Sequence, residues 1–350
     1  MASDPPALRW GIIATGLISS WFVADLSLDR PNRKANHVIQ AIGSSSLEKG
    51  NAFVASHLPG KSPTVYGSYE AVYQDPDVDI VYIGTPHAFH KQNCLDAIRA
   101  GKHVLCEKAF TLNETEAKEV FTEAENKGVF VMEAMWTRFF PLVQKLQDLL
   151  HNEKVIGDVH RVFCDFAMNQ DIASLPSTSR LRNPALGAGS LLDVGIYSIT
   201  WGILGLESGR ETEEPRVAAS QSLFEGIDIA SSMILAYPDG RQAIATCSTL
   251  TKTPAAFCRI EGSKGNVVVE GFAGSVPASF TVHRTDQEAK KYEFERPGKG
   301  FYWEADAVAA DITAGRTQSS VMPWSETLRI LRVLDEVRRQ GGAKFPQDAA

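Results

Sequence analysis

Short apolar runs alternate with helix-periodic stretches over residues 9–135, and the pattern changes from about residue 160. Arg9–Ala14, Val38–Gly43, Ile80–Gly84, Val104–Cys106 and Val129–Ala134 read as strands. Runs such as Ile80-Val81-Tyr82-Ile83 and Val104-Leu105-Cys106 lack alternation, as a strand buried on both faces does. A helix is expected from about Lys91 to Ala100, with Gly101 placed to close it. Asn113 and Glu116 have the spacing of a capping box. The helix they open carries Ala117, Val120, Phe121 and Ala124 on one stripe and stops at Gly128. Strands alternating with helices predict a parallel sheet with right-handed crossovers.

The second half reads differently. Strand-like segments are expected at His160–Phe166, Arg216–Phe224, Ala230–Tyr237, Gln242–Ser248, Phe257–Gly262 and Asn266–Glu270, with weaker ones at Ser279–His283 and Lys290–Glu295. Turns such as Pro238-Asp239-Gly240 and Ser263-Lys264-Gly265 join several of them. This predicts a large, open, mostly antiparallel sheet with one face covered by a helix from Asp193 to Leu204; the other face is a natural self-association surface. Trp303–Ala314 and Trp324–Arg339 read as closing helices. The fold class expected is α/β: a dinucleotide-binding domain over residues 1–135, then an α+β domain for substrate binding and dimerisation over residues 136–350. The last helices are allowed to pack back on the first domain.

With 350 residues both domains can bury sizeable cores. A net charge of −7 argues against nucleic acid as the main partner, because phosphate contacts need a basic face. The five cysteines are odd in number and widely spaced, with no CxxC pair, so neither a metal site nor a disulfide framework is expected. Reduced thiols fit a cytoplasmic compartment. The first eight residues lack the apolar core of a secretory signal, and no uninterrupted apolar stretch reaches the roughly 18 residues of a membrane helix. The chain reads as soluble, with no membrane partner.

The candidate chemistry lies at strand ends. After the first strand, Ala14-Thr15-Gly16-Leu17-Ile18 leads into helical spacing, as at the phosphate turn of a dinucleotide fold. The match to GxGxxG is partial: Ala14 and Ser19 stand where the outer glycines would be. The second strand ends in Ser44-Ser45-Ser46 with Lys49 close behind, where an NAD-preferring site usually has an acid. Three hydroxyls and a cation suit a 2′-phosphate, so NADP is expected over NAD, with Glu48 as the competing group. The alternative is a serine turn capping the next helix. Thr85, Pro86 and His90 follow the third apolar run, and Glu107 and Lys108 follow the fourth. Ligands bind outside the carboxyl ends of such strands. Asp193 and Tyr197, four apart, are expected on one helix face.

Together these segments resemble the Gfo/Idh/MocA oxidoreductases over almost the whole chain. The carriers are Gly11-x-x-Ala14-Thr15-Gly16-x-Ile18, Thr85-Pro86-x-x-x-His90, Glu107-Lys108, Met132-Glu133-Ala134 and Gly189-x-x-x-Asp193-x-Gly195-x-Tyr197. The family normally has proline after Glu-Lys, whereas this chain has Ala109, and many relatives have histidine where Tyr197 stands. Those features, with Ala134-Met135-Trp136-Thr137-Arg138, resemble the branch holding dimeric dihydrodiol dehydrogenases and fungal NADP-dependent D-xylose 1-dehydrogenases.

The resemblance implies a Rossmann domain, and a second domain whose sheet packs against that of a second copy in a homodimer. It implies NADP held by Ala14 through Ile18, by Ser44, Ser45, Ser46 and Lys49, and by Thr85, Pro86, His90 and Glu107. Trp136, Arg138 and Arg180 would lie near its nicotinamide end. Lys108 and Tyr197 would flank the hydride-transfer site, with Asp193 holding the sugar or orienting them. The reaction expected is oxidation of an aldopyranose, D-xylose foremost, at C1 to the lactone. Tyr197 would be the base, its phenol made more acidic by the Lys108 ammonium. In the alternative Lys108 carries the proton and Tyr197 orients the hydroxyl. Rival readings are a trans-dihydrodiol dehydrogenase or dicarbonyl sugar reductase on the same fold, and a non-catalytic NADP-sensing regulator.

Overall fold

In the computed structural model, which describes residues 6–30, 33–208, 214–285 and 287–349, the non-alternating apolar runs become central strands. The expectations for residues 1–5 lie outside the described residues. The chain divides into two compact units: Met1–Phe139 with Arg296–Leu328, and Phe140–Glu295 with Arg329–Ala350.

The first unit is a six-stranded parallel sheet in the order β3-β2-β1-β4-β5-β6. Its strands are β1 (Ala7–Ile13), β2 (Asn36–Gly43), β3 (Thr64–Tyr66), β4 (Ile80–Ile83), β5 (His103–Glu107) and β6 (Val131–Ala134). Helices α1 (Leu17–Leu26), α2 (Leu47–His57), α3 (Tyr69–Tyr73), α4 (His90–Arg99) and α5 (Glu114–Lys127) connect them. This is the doubly wound order in which the strand direction of travel reverses between β1 and β4, and the crevice at their carboxyl ends is the ligand site of such sheets. Val81, Val104, Leu105 and Val131 are wholly buried, which explains why these strands show no alternation. The capping box at α5 forms with one change of partner. Asn113 accepts from the Glu116 amide, while the Glu116 carboxylate reaches the Leu112 amide.

Residues 296–328 return to this unit. Asp25, in the last turn of α1, accepts from the amides of Lys299, Gly300 and Phe301 at 2.6–3.1 Å, where the chain enters the helix Phe301–Thr313. A carboxylate there satisfies donors a helix start leaves open and complements its dipole.

In the second unit, eight strands run in the order β14-β13-β12-β11-β7-β10-β9-β8. They are β7 (Val159–Ala167), β8 (Arg216–Phe224), β9 (Ile227–Ala236), β10 (Gln242–Ser248), β11 (Ala256–Gly262), β12 (Gly265–Ala273), β13 (Val276–Arg284) and β14 (Lys290–Glu293). All neighbours are antiparallel except β10 and β7, which run parallel. A helix, Ile196–Leu206, packs on β7 and β10. Gly205 lets it approach closely: a Cβ there would sit 2.8 Å from Val162 and 3.4 Å from Ile260. The stretch Pro184–Leu206 is apolar enough by composition to cross a membrane, but 89 % of its most apolar window is buried inside the protein, as befits a core helix.

Candidate active site

The turn after β1 is built to leave amides open. Ala14 takes a left-handed conformation (φ 76°), and Gly16 opens α1 with no side-chain cap. Around Gly16 the space is clear: a Cβ there would meet only the Gly84 carbonyl oxygen, at 4.0 Å. Gly16 and Leu17 are exposed, and Ala14, Thr15 and Ile18 half-buried. Uncapped helix amides facing open space at the β1–β4 switch are what a pyrophosphate needs. The Thr15 and Ser44 hydroxyls lie 3.4 Å apart, bringing the turn to the end of β2. Ser46 caps α2 by accepting from the Lys49 amide, so for that serine the capping alternative holds. Exposed Lys49 donates to Ser45 at 3.2 Å, placing a cation and a hydroxyl together at that end. These residues fit an anionic dinucleotide with a phosphate near Ser45.

At the end of β4, Thr85 is buried and Pro86 half-buried. His90, expected to line the cofactor, is wholly buried. Its ring nitrogens lie 2.7 Å from the Thr85 carbonyl and 3.0 Å from the Ala109 carbonyl. Burial lowers its pKa. The ring lies between the end of β4 and the segment after Lys108, and as a neutral imidazole it donates to one of the two carbonyls. Glu107 is also buried; it accepts from the Tyr82 hydroxyl at 2.6 Å, and its other oxygen faces the Lys108 amide at 3.3 Å. Lys108 is half-buried, and the Lys108–Ala109 peptide is cis.

Around β6, Glu133 accepts from the Phe110 amide at 3.1 Å, and burial raises its pKa to about 7. Arg138, expected near a nicotinamide, is buried and pairs with Glu326 at 2.6 Å. Trp136 is buried and stacks on Phe301 with ring centres 4.1 Å apart.

In the second unit, Asp193 and Tyr197 do not share a regular helical turn. Residues Leu191–Gly195 form a wider π turn, and the α-helix starts at Ile196. Such turns recur at functional sites. Arg180 pairs with Asp193 at 3.4 Å, and both are accessible enough to meet a ligand. Tyr197 is nearly buried, its ring 5.7 Å from that of Phe166.

Of the buried carboxyls that escaped the sequence reading, two bear on the site. Glu304 is wholly buried with neither oxygen hydrogen-bonded, and burial first, then the charge of Glu107, raises its pKa well above the ordinary value. It stands on the apolar stripe of Phe301, Ala305 and Val308, and a lone acid on such a stripe was the available signal. The other, Asp228, is taken up below.

Comparison with known proteins decides the family. Residues 8–135 match the model of the oxidoreductase family with an NAD-binding Rossmann fold, and residues 143–268 match the GFO/IDH/MocA C-terminal domain. The chain belongs to the Gfo/Idh/MocA oxidoreductase family. It is similar to a D-xylose 1-dehydrogenase (NADP(+)) of Hypocrea jecorina, 35 % identical over 99 % of this chain and 95 % of that protein. It is as similar to a trans-1,2-dihydrobenzene-1,2-diol dehydrogenase of Sus scrofa, 35 % identical over 98 % of this chain and 99 % of that one. Among solved structures, an aldose-aldose oxidoreductase from Caulobacter crescentus, complexed with glycerol, superposes with a TM-score of 0.81 at 23 % identity, covering 96 % and 98 % of the two chains. At that identity the likeness is one of fold.

Proposed function

We propose that this family member is an NADP-dependent dehydrogenase that oxidises an aldopyranose, D-xylose foremost, at C1. The observation that carries the reading is the full-length likeness to an NADP-dependent D-xylose 1-dehydrogenase. The open turn at Gly16 and the Ser45–Lys49 pair support it from the side of the cofactor. Bound NADP would accept the hydride leaving C1. Tyr197 takes the C1 hydroxyl proton, and the lactone forms as the C1–O bond gains its second component. A phenol with an ordinary pKa near ~10 is a poor base at neutral pH, and Lys108 supplies the cation that favours phenolate. Asp193, with Arg180 beside it, binds sugar hydroxyls.

The test is turnover with a panel of aldoses and diols, NADP or NAD being supplied, followed by absorbance of the reduced cofactor. D-xylose with NADP is expected to lead. Tyr197→Phe and Lys108→Met should each cut turnover by about 10²- to 10⁴-fold while NADPH still binds; near-normal turnover in either removes that residue from the chemistry.

The equal likeness to a dihydrodiol dehydrogenase favours a second reading on the same residues. Benzene dihydrodiol turned over faster than every aldose would establish it. For the assembly, we infer a homodimer through the sheet face away from helix Ile196–Leu206. Phe163, Ile244, Val268 and Arg259 line an open depression of about 450 Å³ on that sheet. A mass of one chain in solution by light scattering would refute it. The five buried thiols fit a cytoplasmic setting.

A further inference from the structure

The turn that carries Asp193 has no cap of its own. Its first residue, Leu191, follows Ser190, whose side chain makes no capping bond to the turn. The acceptor comes instead from the sheet. One oxygen of Asp228, in β9, receives the Leu191 amide at 2.7 Å, the Ser190 hydroxyl at 2.6 Å and the Ser231 hydroxyl at 3.0 Å. Asp228 is 2 % exposed. Its other oxygen lies against Gly189, where a Cβ would stand 2.3 Å away and where φ is +135°. Ser231 is held in turn by Gln221 at 3.0 Å. Cys247 of β10 reaches the Ser190 hydroxyl at 3.5 Å. Burial pushes the Asp228 carboxyl up to about 6, against the pull of Ser190, Ser231 and the Leu191 amide.

A carboxylate at the start of a helix both satisfies open amides and complements the dipole. This one is rigid, because it stands on a strand and three donors converge on a single oxygen. We propose that Asp228 is a positioning residue that fixes the π turn Leu191–Gly195, and through it the settings of Asp193 and Tyr197. The proposal rests on the function read above only where it names those two side chains; the holding of the turn stands on the hydrogen bonds alone.

Three variants separate positioning from folding. Asp228→Asn can place its carbonyl where the three donors converge, so it should retain turnover within about threefold. Asp228→Ala leaves the donors unpaired and should lower kcat by about tenfold or more, since a small misplacement of catalytic groups is costly, while the NADPH dissociation constant moves by less than about twofold. Ser190→Ala removes one donor and should fall between them. Hydrogen exchange measured on the same proteins, full-length and with NADPH present, should rise at amides 191–197 in the Ala variant and not in the Asn variant. Wild-type kcat in Asp228→Ala, or exchange rising equally over the whole second unit, overturns the proposal. If the wild-type chain oxidises none of the aldoses or diols, the function above fails, and exchange at 191–197 decides the positioning role by itself: selective loosening in the Ala variant upholds it and unchanged exchange ends it.

Discussion

Replacing Glu133 by Gln should remove a large pH dependence from the stability of the first unit. Glu133 stands at the end of β6, wholly buried, and accepts from the Phe110 amide, two residues after Lys108. Burial is the main reason its pKa lies at about 7 rather than 4.5; Thr327, the Phe110 amide and the charge of Arg138 pull the other way. The folded chain therefore keeps this proton up to about pH 7, while the unfolded chain releases it near 4.5. Between those values the unfolded state binds fewer protons, so stability falls as pH rises. The contribution is fully present below about pH 4.5 and lost above about pH 7. At about 1.4 kcal/mol for each pH unit, the rise from 4.5 to about 7 amounts to about 3 kcal/mol.

Glutamine keeps a carbonyl for the Phe110 amide and does not titrate. Urea unfolding of wild type and Glu133→Gln, followed by tryptophan fluorescence at several values between pH 5 and 8, gives the difference in stability at each pH. The slope with urea serves as the check that both chains unfold alike. The variant should gain on the wild type by about 2.5 kcal/mol across that range, with most of the change below pH 7. A difference that stays constant within about 0.5 kcal/mol would show that Glu133 is ionised throughout, and the reasoning from burial would be wrong.

Other perturbations test separate links. Asp25→Ala leaves the amides of Lys299, Gly300 and Phe301 without their acceptor and should cost about 3 kcal/mol or more, seen as a melting point lower by several degrees; an unchanged melting point would mean that those amides find water at no cost. Gly84→Ala would put a Cβ 2.4 Å from the Ser19 hydroxyl and 3.2 Å from Tyr82. Pushing α1 away from the end of β4 should weaken NADPH binding about tenfold, measured by fluorescence titration, and unaltered binding would separate that contact from the phosphate turn. Gly205→Ala crowds Val162 and Ile260 and should destabilise by about 1–3 kcal/mol; a neutral result would show that the helix can lift off its sheet freely.

Both sheets were legible because burial writes itself into short windows. Strands covered on two sides show unbroken apolar runs, and those covered on one side alternate. Ends were less legible, since a strand stops where its partner stops. β9 begins at Ile227 rather than Ala230 because Ile227 pairs with Phe224 across the turn. Likewise β13 runs from Val276 to Arg284 along β12, well past the apolar core of Ser279–His283. The parallel pairing of β10 with β7 has no local mark at all, because no residue in either strand names its neighbour.

The candidate site divides along the same line. The turn at Gly16, the serines after β2 and the Glu107–Lys108 pair could be nominated because the residues of each lie within a few positions of one another. His90 and Arg138 were flagged by type and place, yet one of the two carbonyls at His90 lies 19 residues on, and Glu326, the partner of Arg138, is 188 residues away. A histidine after a strand looks the same in sequence whether it faces a ligand or two carbonyls. The buried acids make the opposite case. Asp25 is spent on amides some 275 residues along the chain, and Asp228 on a turn 37 residues before it. Desolvating a carboxylate is expensive unless donors converge on it, so each such acid marks a place where the fold requires one backbone geometry. Asp25 holds the return of residues 299–301, Glu133 the segment after Lys108, and Asp228 the turn of Asp193. The exposed groups announce what a ligand would meet, and the buried carboxyls, recruited from a distance, explain why those groups are held where they are.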